Sequence, residues 1–128
     1  MNLQTKHTRI STVTLREDGI MHVKIAAGAE ESLEDAQATL RACGELARGR
    51  RYPILVDIRQ MQAQDRDARQ VYGSPEAAQI GTAAALVVES RVSKLIANFF
   101  LVIVKSSVPT KLFTDEAEAI AWLRGYQE

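Results

Sequence analysis

The chain has 128 residues, the usual size of a single domain, and we expect one domain over residues 1–128. Apolar residues make up 46% and charged residues 25% of it, which is typical of a globular protein and excludes a disordered chain. Its 16 basic and 16 acidic residues cancel. No overall charge therefore favours binding to nucleic acid or to an anionic membrane.

The first residues, MNLQTKHTRI, lack the apolar segment of a signal peptide. Cys43 is the only cysteine, so the chain cannot form an internal disulfide. The apolar run from Leu95 to Val104 is interrupted by Asn98 and is far shorter than the roughly 20 residues of a membrane span. We expect a cytoplasmic protein without a transmembrane segment.

The first half of the sequence predicts a β-hairpin and a long helix. Residues 8–16 alternate between polar and apolar, and Asp18-Gly19 is typical of a hairpin turn before a return strand from Ile20 to Ala26. Ser32 and Asp35 resemble a capping box, and Gly49 ends the helix that follows. Its apolar stripe is Leu33, Ala36, Leu40, Cys43 and Ala47.

The second half alternates strands with helices. The apolar runs predict strands at Ile54–Val56, at Thr82–Val88 and at Phe100–Val104. The capping residues predict two short helical pieces that begin near Asp65 and at Ser74, a helix that begins at Ser90, and a last helix from Thr114 to Gly125. The predicted order ββαβαβαβα indicates an α/β fold with a mixed five-stranded sheet and about four helices.

This pattern resembles the STAS-type fold of the sporulation anti-anti-sigma factors (SpoIIAA-like), an architecture shared with lipid-binding CRAL-TRIO domains. The stretch from Ala84 to Leu123 is similar to a family of small, uncharacterised bacterial STAS-like proteins. Asn98-Phe99-Phe100, Pro109 and the run from Phe113 to Leu123 carry the likeness. The resemblance implies a fold, and it brings no activity that can be transferred.

The regulatory STAS proteins are switched by phosphorylation of a serine or threonine just after the third strand. Here that segment, residues 58–73, reads IRQMQAQDRDARQVYG and contains neither residue. Ser74 follows it, but its position before Pro75 is typical of a helix cap. We therefore expect that the usual phosphoacceptor is missing.

Asp57 follows a predicted central strand, where open α/β sheets place ligand crevices. Arginines follow the same strand, and the amides of the helix that begins at Ser90 could join them around an anion. The candidate polar or anion crevice comprises Asp57, Arg59, Arg69, Ser90 and Arg91. The commoner role of such a carboxylate is to pair with a nearby arginine, and Asp65 and Asp67 would offset much of the positive charge.

The chain contains no P-loop, dinucleotide-binding glycine motif, nucleophile elbow or paired C-x-x-C motif. His7, in a flexible start, and His22, on a strand, lack the spacing of a metal site. Cys43 belongs to an apolar stripe. The basic run Arg48 to Arg51 complements the dipole at a helix end. We expect no catalytic residue, no metal and no cofactor.

Trp122 and Tyr126 lie four residues apart on the last predicted helix. They could form a partly exposed aromatic strip that joins subunits, or they could cover the edge of the chain's own core. Together with Phe99 and Phe113 they are the candidate interface or apolar ligand surface.

Our leading hypothesis is a non-enzymatic STAS-like module that acts through protein contacts, as a homodimer or with another protein partner. The alternative is a binder of a small apolar or amphipathic, lipid-like ligand held between the sheet and the helices. Its pocket would be lined by Leu95, Ile96, Phe99, Phe113 and Trp122. A third hypothesis is an enzyme that uses Asp57 and the arginines on an anionic substrate.

Overall fold

A computed structural model of the chain describes residues 4–90 and 105–127. Its main sheet has six strands. In spatial order these are β1 (Thr5–His7), β2 (Ser11–Leu15), β3 (Met21–Ile25), β5 (Tyr52–Asp57), β7 (Gly81–Val87) and β8 (Thr110–Phe113). The first three strands are antiparallel, and β3, β5, β7 and β8 run parallel.

Helices cover both faces of this sheet. They are α1 (Leu33–Ala47), α2 (Arg66–Val71), α3 (Pro75–Ala78) and α4 (Glu116–Leu123), and a 3₁₀ turn (Arg124–Tyr126) follows α4. A small parallel pair, β4 (Glu30–Glu31) and β6 (Ala63–Gln64), joins the two loops that follow β3 and β5. The architecture is α/β, as the sequence predicts.

The alternation of side chains along the strands divides the core into two clusters. Val56 of β5 and Leu86 of β7 point towards α1 and pack with its Cys43. Leu55 and Val87 point to the other face and pack with Leu123 of α4. Because both faces are covered, the central strands contain uninterrupted apolar runs, residues 54–56 in β5 and 83–87 in β7, as buried parallel strands generally do.

The predicted hairpin and first long helix are confirmed. Val13 pairs with Val23, and Gly19 adopts a φ of +81° in the turn between the strands. The Ser32 hydroxyl accepts a hydrogen bond from the Asp35 backbone N–H, and the Asp35 carboxylate accepts one from the Ser32 N–H. This capping box begins α1 where the sequence places it.

Within residues 4–90 and 105–127 the main sheet has six strands, and two of them, β1 and β8 at its edges, are not predicted from the sequence. His7, expected in a flexible start, lies in β1, where its ring contacts the Thr12 hydroxyl at 3.2 Å. Thr110–Phe113, for which the sequence predicts no strand, forms β8 beside β7. Both strands are too short to show a period in the sequence, and backbone pairing stabilises each of them, β1 with the adjacent β2 and β8 with β7. The predicted strand Phe100–Val104 lies outside the described residues.

The Arg9 guanidinium ties the first bend to α1. It donates to both carboxylate oxygens of Asp35, with the Nε contact at 2.9 Å. Hydrogen bonds from Arg9 outweigh the effect of burial and, with those from Ser32, lower the pKa of Asp35 from 3.8 to about 2. The ionised carboxylate therefore stabilises the fold above about pH 4.

We expect Asp35→Ala to lower the free energy of unfolding by about 1–3 kcal/mol at pH 7, because it removes one half of the capping box and the ion pair. The pKa of Asp35 is depressed in the folded state, so the wild-type advantage disappears as the pH falls from about 4 to 2. Urea unfolding at pH 7 and pH 2.5 measures both effects. Glu34→Ala, at an exposed neighbour, is the matched control. An equal loss at both pH values would contradict this account.

Candidate functional site

A polar crevice opens at the carboxyl ends of β3, β5 and β7. We call it the carboxyl-end crevice, and it encloses about 540 Å³. Its lining residues are Lys24, Ile25, Asp57, Arg59, Gln60, Met61 and Glu89. The crevice lies where the parallel strands stop and their connecting loops diverge, which is the position of ligand sites in open α/β sheets.

Asp57 is the buried centre of this crevice, with 3% of its surface exposed. The Arg59 guanidinium binds it in a fork, with Nε 3.0 Å from Oδ1 and Nη2 2.7 Å from Oδ2. The Arg59 backbone N–H also donates to Oδ1, at 3.1 Å. Lys24 Nζ lies 3.6 Å from Oδ2. Both oxygens of the carboxylate are therefore engaged by this chain's own donors.

These donors determine the protonation of Asp57. Burial acts to raise its pKa, but hydrogen bonds from the Arg59 side chain and backbone, together with the charges of Arg59 and Lys24, lower it below 3.8 overall. The same pairing raises the pKa of Arg59. Asp57 is thus an ionised, charge-paired carboxylate at neutral pH, which suits a structural role better than proton transfer.

The network continues from Arg59 to α4. Arg59 Nη2 lies 3.5 Å from Glu116 Oε1, and His22 Nε2 lies 3.5 Å from the same oxygen. Glu116 belongs to the first turn of α4, so this contact links the end of β5 to the helix on one face of the sheet. The sequence does not indicate this contact, because Glu116 approaches His22 only in the folded chain.

The structure brings only some of the predicted crevice residues together. Asp57 and Arg59 meet, whereas Arg69 lies on α2, which packs against α1, and it is not part of the crevice lining. Ser90 follows Glu89 at the rim. Arg91 lies outside the described residues. The carboxyl-end crevice is therefore a set of mutually neutralising charges, and the described residues do not gather several arginines around one point.

A second polar cluster, which the sequence did not indicate, surrounds Glu31. This carboxylate is 1% exposed and accepts hydrogen bonds from Tyr72 Oη at 2.6 Å and Gln64 Nε2 at 2.7 Å. Within residues 4–90 and 105–127 it forms no ion pair. Burial raises its pKa above 4.5, although the hydrogen bonds oppose the shift. Glu31 therefore holds the β4–β6 pair through hydrogen bonds alone.

The aromatic residues form a row, Phe113–Trp122–Tyr126, that runs from β8 along α4. The ring centroids of Phe113 and Trp122 are 5.6 Å apart, and those of Trp122 and Tyr126 are 4.8 Å apart. Phe113 is buried, whereas Trp122 and Tyr126 are half-buried against the cluster around Leu123. They cover the chain's own core and leave part of their surface exposed. Phe99 lies outside the described residues.

An apolar cavity of about 50 Å³ lies between α1 and the sheet. Val23, Cys43, Val56 and Leu86 are among its lining residues. Phe113 and Trp122, predicted to line a ligand pocket, belong to the cluster on the opposite face of the sheet. Leu95 and Ile96 lie outside the described residues. The cavity is several-fold smaller than the roughly 300–1,000 Å³ of typical ligand pockets.

The Cys43 thiol on α1 is buried. Burial raises the pKa of the Cys43 thiol to about 12, which disfavours the nucleophilic thiolate. Across residues 4–90 and 105–127, no three His, Cys, Asp or Glu side chains are placed to hold a metal ion. In the same residues, no helix is long and apolar enough to cross a membrane.

We expect Asp57→Asn to lower the free energy of unfolding by about 1–3 kcal/mol, because Arg59 and Lys24 lose a buried charged partner. Glu116→Gln, at a more exposed partner of Arg59, should cost less than about 1 kcal/mol. Urea unfolding at pH 7 measures both. The folded pKa of Asp57 is depressed, so its contribution should diminish as the pH falls below about 4. Equal losses in the two variants would contradict the central role of Asp57.

We expect Glu31→Gln to raise the free energy of unfolding at pH 8 by about 1 kcal/mol, because it removes a buried charge and keeps polar partners for Tyr72 and Gln64. The folded pKa of Glu31 is raised, so wild-type stability falls as the pH rises through that value. The gain should therefore shrink in acid. Thermal unfolding from pH 5 to 8 measures it, with exposed Glu30→Gln as the control. A variant less stable than wild type at pH 8 would contradict the prediction.

Comparison with known proteins identifies the family of this chain. Residues 14–127 match the family model "Domain of unknown function (DUF7793)". No protein with a curated description matches the sequence. A protein of unknown function from Arthrobacter sp. FB24 has a solved structure and is 37% identical, with 88% of this chain and 97% of that chain covered and a TM-score of 0.37.

A second solved structure shows the fold. It is that of an uncharacterised protein of the DUF3478 family from Shewanella loihica PV-4, described as having a SpoIIAA-like fold. The similarity covers 95% of this chain and 92% of that chain, with a TM-score of 0.61 and 14% identity. The chain therefore has the SpoIIAA-like fold and belongs to the family "Domain of unknown function (DUF7793)".

Proposed function

We propose that this domain is a non-enzymatic protein-interaction module of a bacterial cytoplasm and that its partner is a second copy of the same chain. The observation that carries the proposal is the aromatic row Phe113–Trp122–Tyr126 beside β8, at the end of the strand order. Half-buried aromatic side chains supply large contact areas, and they are enriched in protein interfaces. An edge strand also presents backbone groups that a partner can use.

The charge arrangement in the carboxyl-end crevice supports a role without catalysis. The buried carboxylate of Asp57 is bound on both oxygens, and Arg59 is shared between Asp57 and Glu116. A general base needs a free lone pair and a pKa near the working pH, whereas pairing lowers the pKa of Asp57. These groups stabilise the end of the sheet and connect it to α4.

The surroundings of Ser74 support regulation by association rather than by the phosphorylation known in STAS proteins. Its hydroxyl donates to the Val71 carbonyl at 2.7 Å and accepts from the Ala77 N–H at 3.2 Å. A phosphate on this oxygen would remove the hydrogen bond that the hydroxyl donates to the Val71 carbonyl. The preceding segment, residues 58–73, contains no serine or threonine.

The alternative, a lipid-like ligand, has less support. The cavity of about 50 Å³ beneath α1 offers space for a few water molecules, and Phe113 and Trp122 lie on the other face. We therefore favour the aromatic row as a contact surface between proteins.

We expect the wild-type protein to be a dimer at micromolar concentration and Ala121→Arg to weaken dimerisation at least tenfold. Ala121 is exposed on α4 next to Trp122, so the new charge disturbs the proposed contact without entering the core. Gln37→Arg, at an exposed position of α1, is the matched control and should leave the dimer intact. Sedimentation equilibrium measures the dissociation constants.

Fluorescence provides an independent measurement, because Trp122 is the only tryptophan of the chain. Its emission should shift to shorter wavelength as the protein concentration rises through the dissociation constant, since association removes water from the indole. A monomer at all concentrations up to about 100 μM, or an equal effect of Ala121→Arg and Gln37→Arg, would overturn the proposal.

A further inference from the structure

A second cleft lies at the end of the sheet opposite the carboxyl-end crevice, where β5 begins. We call it the arginine cleft, and it has a volume of about 450 Å³. It is lined by Gly19, Gly49, Arg50, Arg51, Tyr52, Pro53 and Gln127. Three separate chain segments therefore build it: the β2–β3 turn, the loop between α1 and β5, and the C-terminal turn.

Hydrogen bonds and close packing hold these three segments together. Gln127 donates its side-chain amide to the Asp18 carbonyl. Gly19 has a φ of +81°, a left-handed conformation that favours glycine, and the end of the Gln127 side chain lies close to its Cα. Arg51 Nη2 donates to the Gly81 carbonyl at 2.8 Å and fixes the loop against β7. These contacts fix the positions of the three segments that form the cleft.

The backbone after α1 directs its arginines towards this cleft. Arg48 has a left-handed φ of 51° and Gly49 a φ of +83°, and these conformations end the helix and turn the chain into β5. The sequence suggests that Arg48 to Arg51 complement a helix dipole. In the structure α1 ends at Ala47, so these arginines lie beyond its last turn, and Arg50 and Arg51 line the cleft.

Two arginines, Arg50 and Arg51, line the arginine cleft, and none of its described lining residues is acidic. Asp18, next to Gly19 in the β2–β3 turn, is paired with two arginines, since Arg16 Nη2 and Arg124 Nη2 lie 2.9 and 3.6 Å from its Oδ2. One carboxylate is therefore shared by two guanidinium groups. Arg50 is exposed and forms no ion pair with any residue in the described ranges.

We propose that the arginine cleft binds the phosphate group of a small soluble molecule. Guanidinium groups donate paired N–H bonds in the geometry that phosphate oxygens accept. The concave shape and the volume match a small-molecule site, whereas a partner protein would use a broader and flatter surface. This inference is independent of the proposed self-association, because no residue of the aromatic row lines the arginine cleft.

The test is a titration of the full ¹⁵N-labelled chain with inorganic phosphate and pyrophosphate at constant ionic strength, followed by amide NMR shifts. We expect saturable shifts at Gly19, Gly49, Arg50 and Gln127. Arg50→Gln should raise the dissociation constant about tenfold or more, because one charge-assisted donor is lost. Arg66→Gln, at an exposed arginine of α2, is the matched control and should change it less than twofold.

A hexaglutamate peptide provides the competing ligand. Shifts that rise linearly and are reproduced by chloride would overturn the proposal, as would equal weakening by Arg50→Gln and Arg66→Gln. Binding of the peptide without binding of phosphate or pyrophosphate would also overturn it and would identify an acidic protein segment as the partner. The wild-type and variant spectra in the absence of ligand show whether each chain is folded.

Discussion

The burial of β5 on both faces is the constraint on which the rest of this structure depends. β5 pairs with β3 on one side and β7 on the other, and five of its six residues are buried. Leu55 requires cover from the α4 side, while Ile54 and Val56 require it from α1. A strand covered in this way can meet solvent only at its ends, so polar features collect beyond Asp57 and before Tyr52.

Charged side chains are arranged differently at the two ends of the sheet. At the carboxyl end, Asp57 is neutralised by Arg59 and Lys24, and these ion pairs help to connect the sheet to the helices. At the amino end, Arg16 and Arg124 share Asp18, and the arginine cleft is lined by Arg50 and Arg51 with no acidic residue among its described lining. A net charge of zero therefore conceals a local asymmetry, and only local asymmetry can attract a ligand to one place.

Glu31 and Asp35 show how hydrogen-bonding partners determine the direction in which the pKa of a buried carboxylate shifts. Both carboxylates are nearly inaccessible and lie four residues apart. A guanidinium binds Asp35, and its pKa falls to about 2. Glu31 has only neutral donors, so burial prevails and its pKa rises. Glu31 at the end of β4 and Asp35 in the first turn of α1 thus act oppositely on stability as the pH changes.

The sequence by itself determined the local structure: the hairpin around Gly19, the capping box of α1, the buried strands and the absence of a serine or threonine in residues 58–73. These features depend on neighbours in the chain or on side-chain periodicity. It also placed Asp57 beside Arg59, a contact between residues two apart. Only the tertiary structure decided that Thr110–Phe113 joins the sheet, that Glu116 meets Arg59, and that Tyr72 binds Glu31. Each of these depends on segments distant in sequence, which the packing of helices on a twisted sheet brings together and no local pattern encodes.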